Sequence, residues 1–439
     1  MEIVGPLTEE ESVRVGGDAD VAFDRRVGAA LVIWGAQFVL GFLTSPLIAR
    51  LLGPTDRGRF TYFLTIAQSA VVVCGLGLPQ AVTFFVAHRR FARAQIIAVA
   101  ATWWLALSGV AGLIAAALVS SWPTGFAHLT RPEVVPLVVV SLASLAVGLS
   151  SSVLLGLSRT TEYYLLQCLT SLTLVGTLAV LWLTGHFAYL SMIETYAAIT
   201  AVACVVTALR IAPRAGLRFT AAGDLWRRML AYALKVYPGA LLSMVIVRVD
   251  VFVVAAFHGL AAVGYYAVSV QMAAVVYQVA GLVATVRLPR VAGHSKSEAD
   301  RSFPRISRRL IATSVVSAFA VAVAGILVIR LWLWQFSPSI VVLLLLLPGA
   351  ICLGLAQLYF TELAGRGRPG YGSAVTIVLA VAMIALDFWL IPRWGINGAA
   401  VASSVVYASG FMFALVGVHR ESGIGFRELL LIGRGDLRI

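Results

Sequence analysis

Three charged residues stand close together in an otherwise apolar stretch, residues 229–257: Lys235, Arg248 and Asp250, with Pro238–Gly239 between the first two. Charge is costly inside a bilayer and marks a functional site by default. A guanidinium stays ionised at any relevant pH and grips phosphate oxygens through a planar fork. Arg248 is therefore a candidate for holding an anionic head group. Asp250 lies two positions on and projects from a different helix face, which argues against mutual pairing. The competing reading is that both charges are satisfied within a packed interior. Lys235 lies near the inner boundary, where it either joins the site or snorkels to lipid head groups. Proline interrupts the backbone ladder, so Pro238, and Pro46 in the first apolar stretch, are candidate hinges.

Polar residues recur at helical spacing elsewhere. Gln37 and Thr44 are seven apart, Thr61, Thr65 and Gln68 share a face, and Gln271 and Gln278 are again seven apart. Such stripes suit a watery cleft that hydrogen-bonds sugars, and equally suit ordinary helix–helix contacts. Glu194 and Asp387 lie within apolar stretches and are candidates to carry a coupling proton or cation, or to make interhelical hydrogen bonds. Cys74, Cys168, Cys204 and Cys352 are far apart and match no metal or disulfide spacing. Gly365–Gly372 is glycine-rich but lacks the Lys and Ser/Thr of a phosphate loop. No catalytic residue, metal or cofactor is expected.

The elements that must position these residues are membrane spans. Of 439 residues 60% are apolar and 12% charged, and the mean hydropathy is +0.93. A soluble chain carries about twice that charge, and a disordered one is poorer still in aliphatics. Twelve apolar stretches are long enough to cross a bilayer: 27–49, 60–87, 94–120, 134–157, 163–184, 189–209, 229–257, 262–286, 306–334, 338–363, 370–391 and 396–419. The runs are too long, and lack the alternation, for a transmembrane barrel. The net charge of +13 falls mainly in alternate loops, including Arg25–Arg26, Arg89–Arg90, Arg227–Arg228 and Arg308–Arg309. That bias places both termini in the cytoplasm. It points to anionic lipid rather than nucleic acid as the partner. The acidic first residues do not read as a cleavable signal peptide.

The chain also repeats. RLLGPTDRGRF (Arg50–Phe60) and AFHGLAAVGYY (Ala256–Tyr266) pair Gly53 with Gly259, Gly58 with Gly264 and Phe60 with Tyr266 at a constant offset of 206. LLGLSRTTEYY (Leu154–Tyr164) echoes ELAGRGRPGYG (Glu362–Gly372). Six spans separate the copies, so the halves share an orientation and a site is expected between them. The reading is an all-α polytopic protein. It has a cytoplasmic tail (1–26), a six-helix bundle (27–212), a basic linker (213–228), a second six-helix bundle (229–419) and a cytoplasmic tail (420–439).

Three segments carry a family resemblance: IARLLGPTDRGRFTYFLTIAQ (Ile48–Gln68) with GLGLPQAVTFFVA (Gly75–Ala87); Val236–Ala273; and LDFWLIPRWGINGAAVASSVVY (Leu386–Tyr407). They resemble the oligosaccharide flippase, or polysaccharide biosynthesis export, family. Its superfamily also holds multidrug extruders and lipid II flippases. The family pattern has a small neutral polar residue near Asp387, so the acid there is a departure. The resemblance implies alternating-access flipping of a polyprenyl-pyrophosphate oligosaccharide across a bacterial cytoplasmic membrane. It implies membrane lipids as partners, and a polysaccharide polymerase and glycosyltransferases as associated proteins. Three rivals stand. Lipid II flippases commonly have fourteen spans. A cation antiporter of this fold favours acidic cavities. A membrane glycosyltransferase usually brings a large outer loop.

Overall fold

The computed structural model describes residues 9–88, 91–121, 129–157, 159–185, 187–215, 223–293, 296–366 and 368–430. The first eight residues of the N-terminal tail, 216–222 of the expected linker and 431–439 of the C-terminal tail lie outside the described residues. Within the described residues the secondary structure is helical throughout, with no strand. The helices are α1 (Glu9–Gly75), α2 (Leu78–His88), α3 (Arg93–Ser121), α4 (Arg131–Gly156), α5 (Thr160–Thr184), α6 (Tyr189–Ala215), α7 (Gly223–Gly293), α8 (Lys296–Leu331), α9 (Ser339–Gly365), α10 (Pro369–Ser422) and α11 (Phe426–Leu430). A single 3-10 turn, Trp334–Phe336, joins α8 to α9.

Three helices are too long for one crossing. α1, α7 and α10 have 67, 71 and 54 residues. At 1.5 Å per residue even the shortest is about 80 Å long, against roughly 30 Å of hydrocarbon. Each breaks at one glycine: Gly53 (φ 72°, ψ 178°), Gly259 (φ 76°, ψ −179°) and Gly395 (φ 59°, ψ −139°). An L side chain is strained at these dihedrals and glycine is not. The second arm of α1 then continues into α2 through a 53° bend at Leu76–Gly77. Counted arm by arm, the helices are consistent with twelve crossings. Counted as unbroken helices, only eight are long and apolar enough, or nine with the bent pair.

The internal repeat is a repeat of backbone. Gly53 and Gly259 share their dihedrals to within a few degrees, at the offset of 206. Their elbows meet. A Cβ on Gly58 would fall 1.7 Å from the Leu260 carbonyl oxygen, and one on Gly264 would fall 2.0 Å from that of Pro54. The same shift of 206 exchanges the two contacts, so a local twofold runs between them. At the second echo, the Arg159 N–H donates to the Leu154 carbonyl at 2.9 Å, and the Arg368 N–H to that of Leu363 at 2.9 Å. Leu157 and Arg366, which end α4 and α9, have matching dihedrals (−82°, 0° and −81°, 7°). The structural pairing is thus Gly156 with Gly365, one residue later than the alignment of the two segments suggests.

Two apolar cores sit behind the elbows. Ile48, Phe60, Phe63, Val140, Leu181 and Ile193 join α1, α4, α5 and α6. Val254, Val263, Ile329, Leu343, Leu346 and Ala399 join α7 to α10. α7 belongs to both sides. Its inner end buries Leu225 and Met229 among Leu78, Val82, Phe85 and Val99, and stacks Trp226 on Trp103 at 4.8 Å. Its outer end lies in the second core.

Candidate functional site between the two halves

The second arm of α1 and the first arm of α7 run antiparallel and touch along a seam. Tyr62 meets Phe252 edge-on at 5.8 Å. Deeper in, Arg248 Nη2 donates to Gln68 Oε1. Further inward the Tyr237 hydroxyl donates to the Val73 carbonyl at 3.0 Å, and Gly77 lies so close that a Cβ would fall 2.4 Å from the Ala233 oxygen. Arg248 therefore sits midway along a contact between the halves. It is half-buried, Gln68 is exposed, and no ion pair holds Arg248 among the described residues. The sequence separates Arg248 from Gln68 by 180 residues, so no spacing rule could have joined them.

Asp250 goes elsewhere, as its helix face requires. It is 4% exposed. The Tyr266 hydroxyl donates to its Oδ2 at 2.5 Å, and the Val251 N–H to its Oδ1 at 2.7 Å. Tyr266 also lies 3.3 Å from Ser403 Oγ on the second arm of α10. Asp387, on the first arm of α10, is fully buried, and neither carboxylate oxygen has a hydrogen-bond partner. It lies within electrostatic reach of Asp250, and Tyr407 within reach of both acids. Buried polar groups nearly always have partners, so Asp387 stands out as an uncompensated buried acid. Tyr266, Ser403 and Tyr407 escaped the reading of the sequence as site residues. The signal was present only as an aromatic in the repeated elbow and a Ser and Tyr four apart in the Leu386–Tyr407 segment.

The remaining candidates are dispersed. Thr44, Thr61 and Thr65 donate to Gly41, Arg57 and Thr61 carbonyls at 3.2, 2.9 and 2.8 Å. Their hydroxyl protons are spent within their own helix. Gln271 is exposed, and Gln37 and Gln278 are half-buried. Lys235 is exposed near the inner end of α7. Glu194 is exposed on α6, away from the C-terminal carboxylates. The helix runs unbroken through both Pro46 and Pro238; the non-helical positions are Gly53 and Gly259. His258, beside the second elbow, is exposed, and its Nε2 meets the Ile391 carbonyl at 2.7 Å, tying α10 to α7.

Two repeated helical halves, with helices long and apolar enough to cross a membrane many times, meet around buried charge and define a multi-pass membrane protein. The chain belongs to the polysaccharide biosynthesis protein family, whose family model matches residues 25–295. Its fold is that of solved transporters of the multidrug/oligosaccharidyl-lipid/polysaccharide superfamily. A lipid II flippase, MurJ, in an inward closed conformation aligns with a TM-score of 0.67 at 14% identity, over 89% of this chain and 87% of that one. The MATE multidrug transporter DinF-BH aligns at 0.61 and 12%, over 93% and 95%. The Vibrio cholerae MATE transporter VcmN in its bent form aligns at 0.60 and 13%, over 91% and 98%. No curated protein sequence matches.

Proposed function

We propose that this protein flips a polyprenyl-pyrophosphate-linked oligosaccharide from the inner to the outer leaflet of a bacterial cytoplasmic membrane, for surface polysaccharide biosynthesis. The observation that carries the reading is Arg248: a half-buried guanidinium midway along the seam between the halves, held by a neutral amide. A cation in that place favours an anionic head group and opposes a cationic drug, because like charges repel strongly at low dielectric. The family and the fold support a flippase of lipid-linked substrates in general; the sugar-pyrophosphate class is our extension of them.

In this reading 27–212 and 229–419 are the two bundles, and 213–228 links them. They rock about the elbows at Gly53 and Gly259, with Pro46 and Pro238 softening the adjoining arms. The counterpart of the closed seam is the side formed by the first arm of α1 and the second arm of α7. There Gly35 and Gly41 have open space around them, Leu43 is 61% exposed and Gln271 is exposed. That side suits the lipid tail, which is too long to enclose. Gln37, Gln271 and Gln278 supply neutral hydrogen-bonding groups for the sugar, with Lys235 at the inner entrance. Asp387, beside the Asp250–Tyr266 pair, is the coupling site for a proton or small cation, so the cycle draws on an ion gradient rather than on catalysis.

The buried acids also favour a second reading, cation antiport. Gene deletion separates the two. Accumulation of lipid-linked oligosaccharide on the cytoplasmic leaflet, with loss of one surface polysaccharide, supports flipping. Sensitivity to cationic dyes with intact glycans would replace it with antiport.

A further inference from the structure

Arg57 is buried, 6% exposed, at the outer end of the molecule, just after the Gly53 elbow. Its guanidinium donates from Nη2 to Ser45 Oγ at 2.9 Å, and among the described residues its buried Nε has no partner. Among the described residues no carboxylate pairs with it. Burying a cation so poorly compensated is strongly unfavourable, and the repeat shows that the fold does not need it. At the offset of 206, Arg57 corresponds to Val263 and Ser45 to Val251. Both valines are buried in the C-terminal core, around an elbow of the same dihedrals. The same place is packed by two aliphatic side chains in one half and by a polar pair in the other.

Position says what the pair does. Ser45 precedes Gly53 and Arg57 follows it, so their bond spans the elbow and ties the two arms of α1. The neighbouring Gly58 lies against the backbone of Leu260 in the opposite half. If the elbow itself opens on the outer side, the bond that spans it would be stretched and the guanidinium freed one residue from the contact between the halves at Gly58. A planar five-donor fork matches phosphate oxygens better than sugar hydroxyls. We propose that Arg57 is a second anion-gripping residue of the path, stowed against Ser45 in this conformation and presented to the substrate's phosphates when the outer side opens. The identity of that anion rests on the flippase reading above. The transfer from Arg248 to Arg57 would then follow the head group outward.

The test uses the full chain reconstituted in lipid, with Arg57→Val, which copies the other half, and Arg57→Lys. The valine variant is expected to unfold at or above the wild-type temperature, while translocation of lipid-linked sugar falls at least about tenfold, the worth of a lost charge-assisted contact. Lysine should restore part of the rate. Full transport in Arg57→Val overturns the proposal. So does a valine variant that unfolds several degrees lower, which would make the guanidinium a structural strut. Inorganic pyrophosphate separates this from failure of the flippase reading. In an Arg248→Ala background, pyrophosphate should still raise the unfolding temperature, and adding Arg57→Val should abolish that rise even if no lipid-linked sugar is moved. A pyrophosphate effect untouched by Arg57→Val refutes the anion site whatever the cargo.

Discussion

The two elbows are the same backbone loaded with different chemistry. Around Gly53 the N-terminal half places Thr44, Ser45, Arg57 and Phe60; around Gly259 the C-terminal half places Asp250, Val251, Val263 and Tyr266 at the same offset. Where one half has an aromatic ring with no hydroxyl, the other has the tyrosine that holds a buried carboxylate at 2.5 Å. Where one packs two valines, the other buries an arginine on a serine. Among the positions paired at the offset of 206, the buried cation thus falls to the first elbow and the buried carboxylate to the second. In the proposed cycle the repeat would supply symmetric motion, and its divergence separate sites for anion handling and ion coupling.

The most damaging test of that comparison is steric. Ala at Gly58 or at Gly264 puts a methyl within 2.0 Å of a carbonyl oxygen in the other half. Neither backbone can yield locally, so each change should cost about 3–5 kcal/mol or force the outer ends apart. Thermal unfolding and outside labelling of a single cysteine at Thr55 would report it. The local twofold requires the two variants to behave alike; a large loss in one and none in the other breaks the symmetry.

Arg248→Ala comes next. It removes a charge from the seam but little packing, so protein level should hold while transport falls roughly 10- to 100-fold. Arg248→Lys keeps the charge and loses the fork, and should recover only part. Full transport in the alanine variant would sink the anion role, and loss of folded protein would reassign Arg248 to structure.

The carboxylates sharpen the other side of the comparison. At the offset of 209 that holds from the second echo onward, Asp387 corresponds to Leu178, a buried core residue of the first half. Asp387→Asn should leave the protein as stable or about 1 kcal/mol more so, since it removes an uncompensated buried charge. It should also flatten the dependence of transport on an imposed ion gradient. Tyr266→Phe, which copies Phe60, should cost about 1–2 kcal/mol through the orphaned Asp250 oxygen. A gradient dependence unchanged in both variants removes the network from coupling.

Much of this frame was legible in the sequence because apolar run length and glycine spacing are properties of the chain itself. The elbows were visible as Gly53 and Gly259, though not as breaks within continuous helices, because a run of apolar residues looks the same on either side of a left-handed glycine. Gly395 gave no signal of this kind. Prolines suggested the bends instead, but a membrane helix can continue through Pro46 and Pro238 when neighbours resatisfy the freed carbonyl. The site was legible only as isolated charges. Asp250, Ser403 and Asp387 meet because α7 and α10 pack, and helical periodicity reports which face a residue is on, never which partner it will find. In the sequence Arg57 is simply a charge between the first two apolar stretches; its burial follows from the elbow's fold-back, which no local pattern encodes.

The smallest expected effect is at Glu194. The sequence ranks it with Asp387, since both are acids within apolar stretches. The structure separates them by exposure and by half: Glu194 is exposed on α6, while the neighbouring Met192 and Ile193 face the first core. Five residues from the start of α6, Glu194 can hold its exposed carboxylate in water at the membrane edge, where no desolvation drives ion capture. It also lies in the half whose elbow carries the cation. Glu194→Gln should therefore leave transport, and its dependence on the gradient, within about twofold of wild type, as surface substitutions usually do. Proteoliposome assays run beside Asp387→Asn make the comparison direct. If Glu194→Gln flattens the gradient dependence and Asp387→Asn does not, coupling resides in the first half, and the placement of the coupling acids beside the second elbow is wrong at its root.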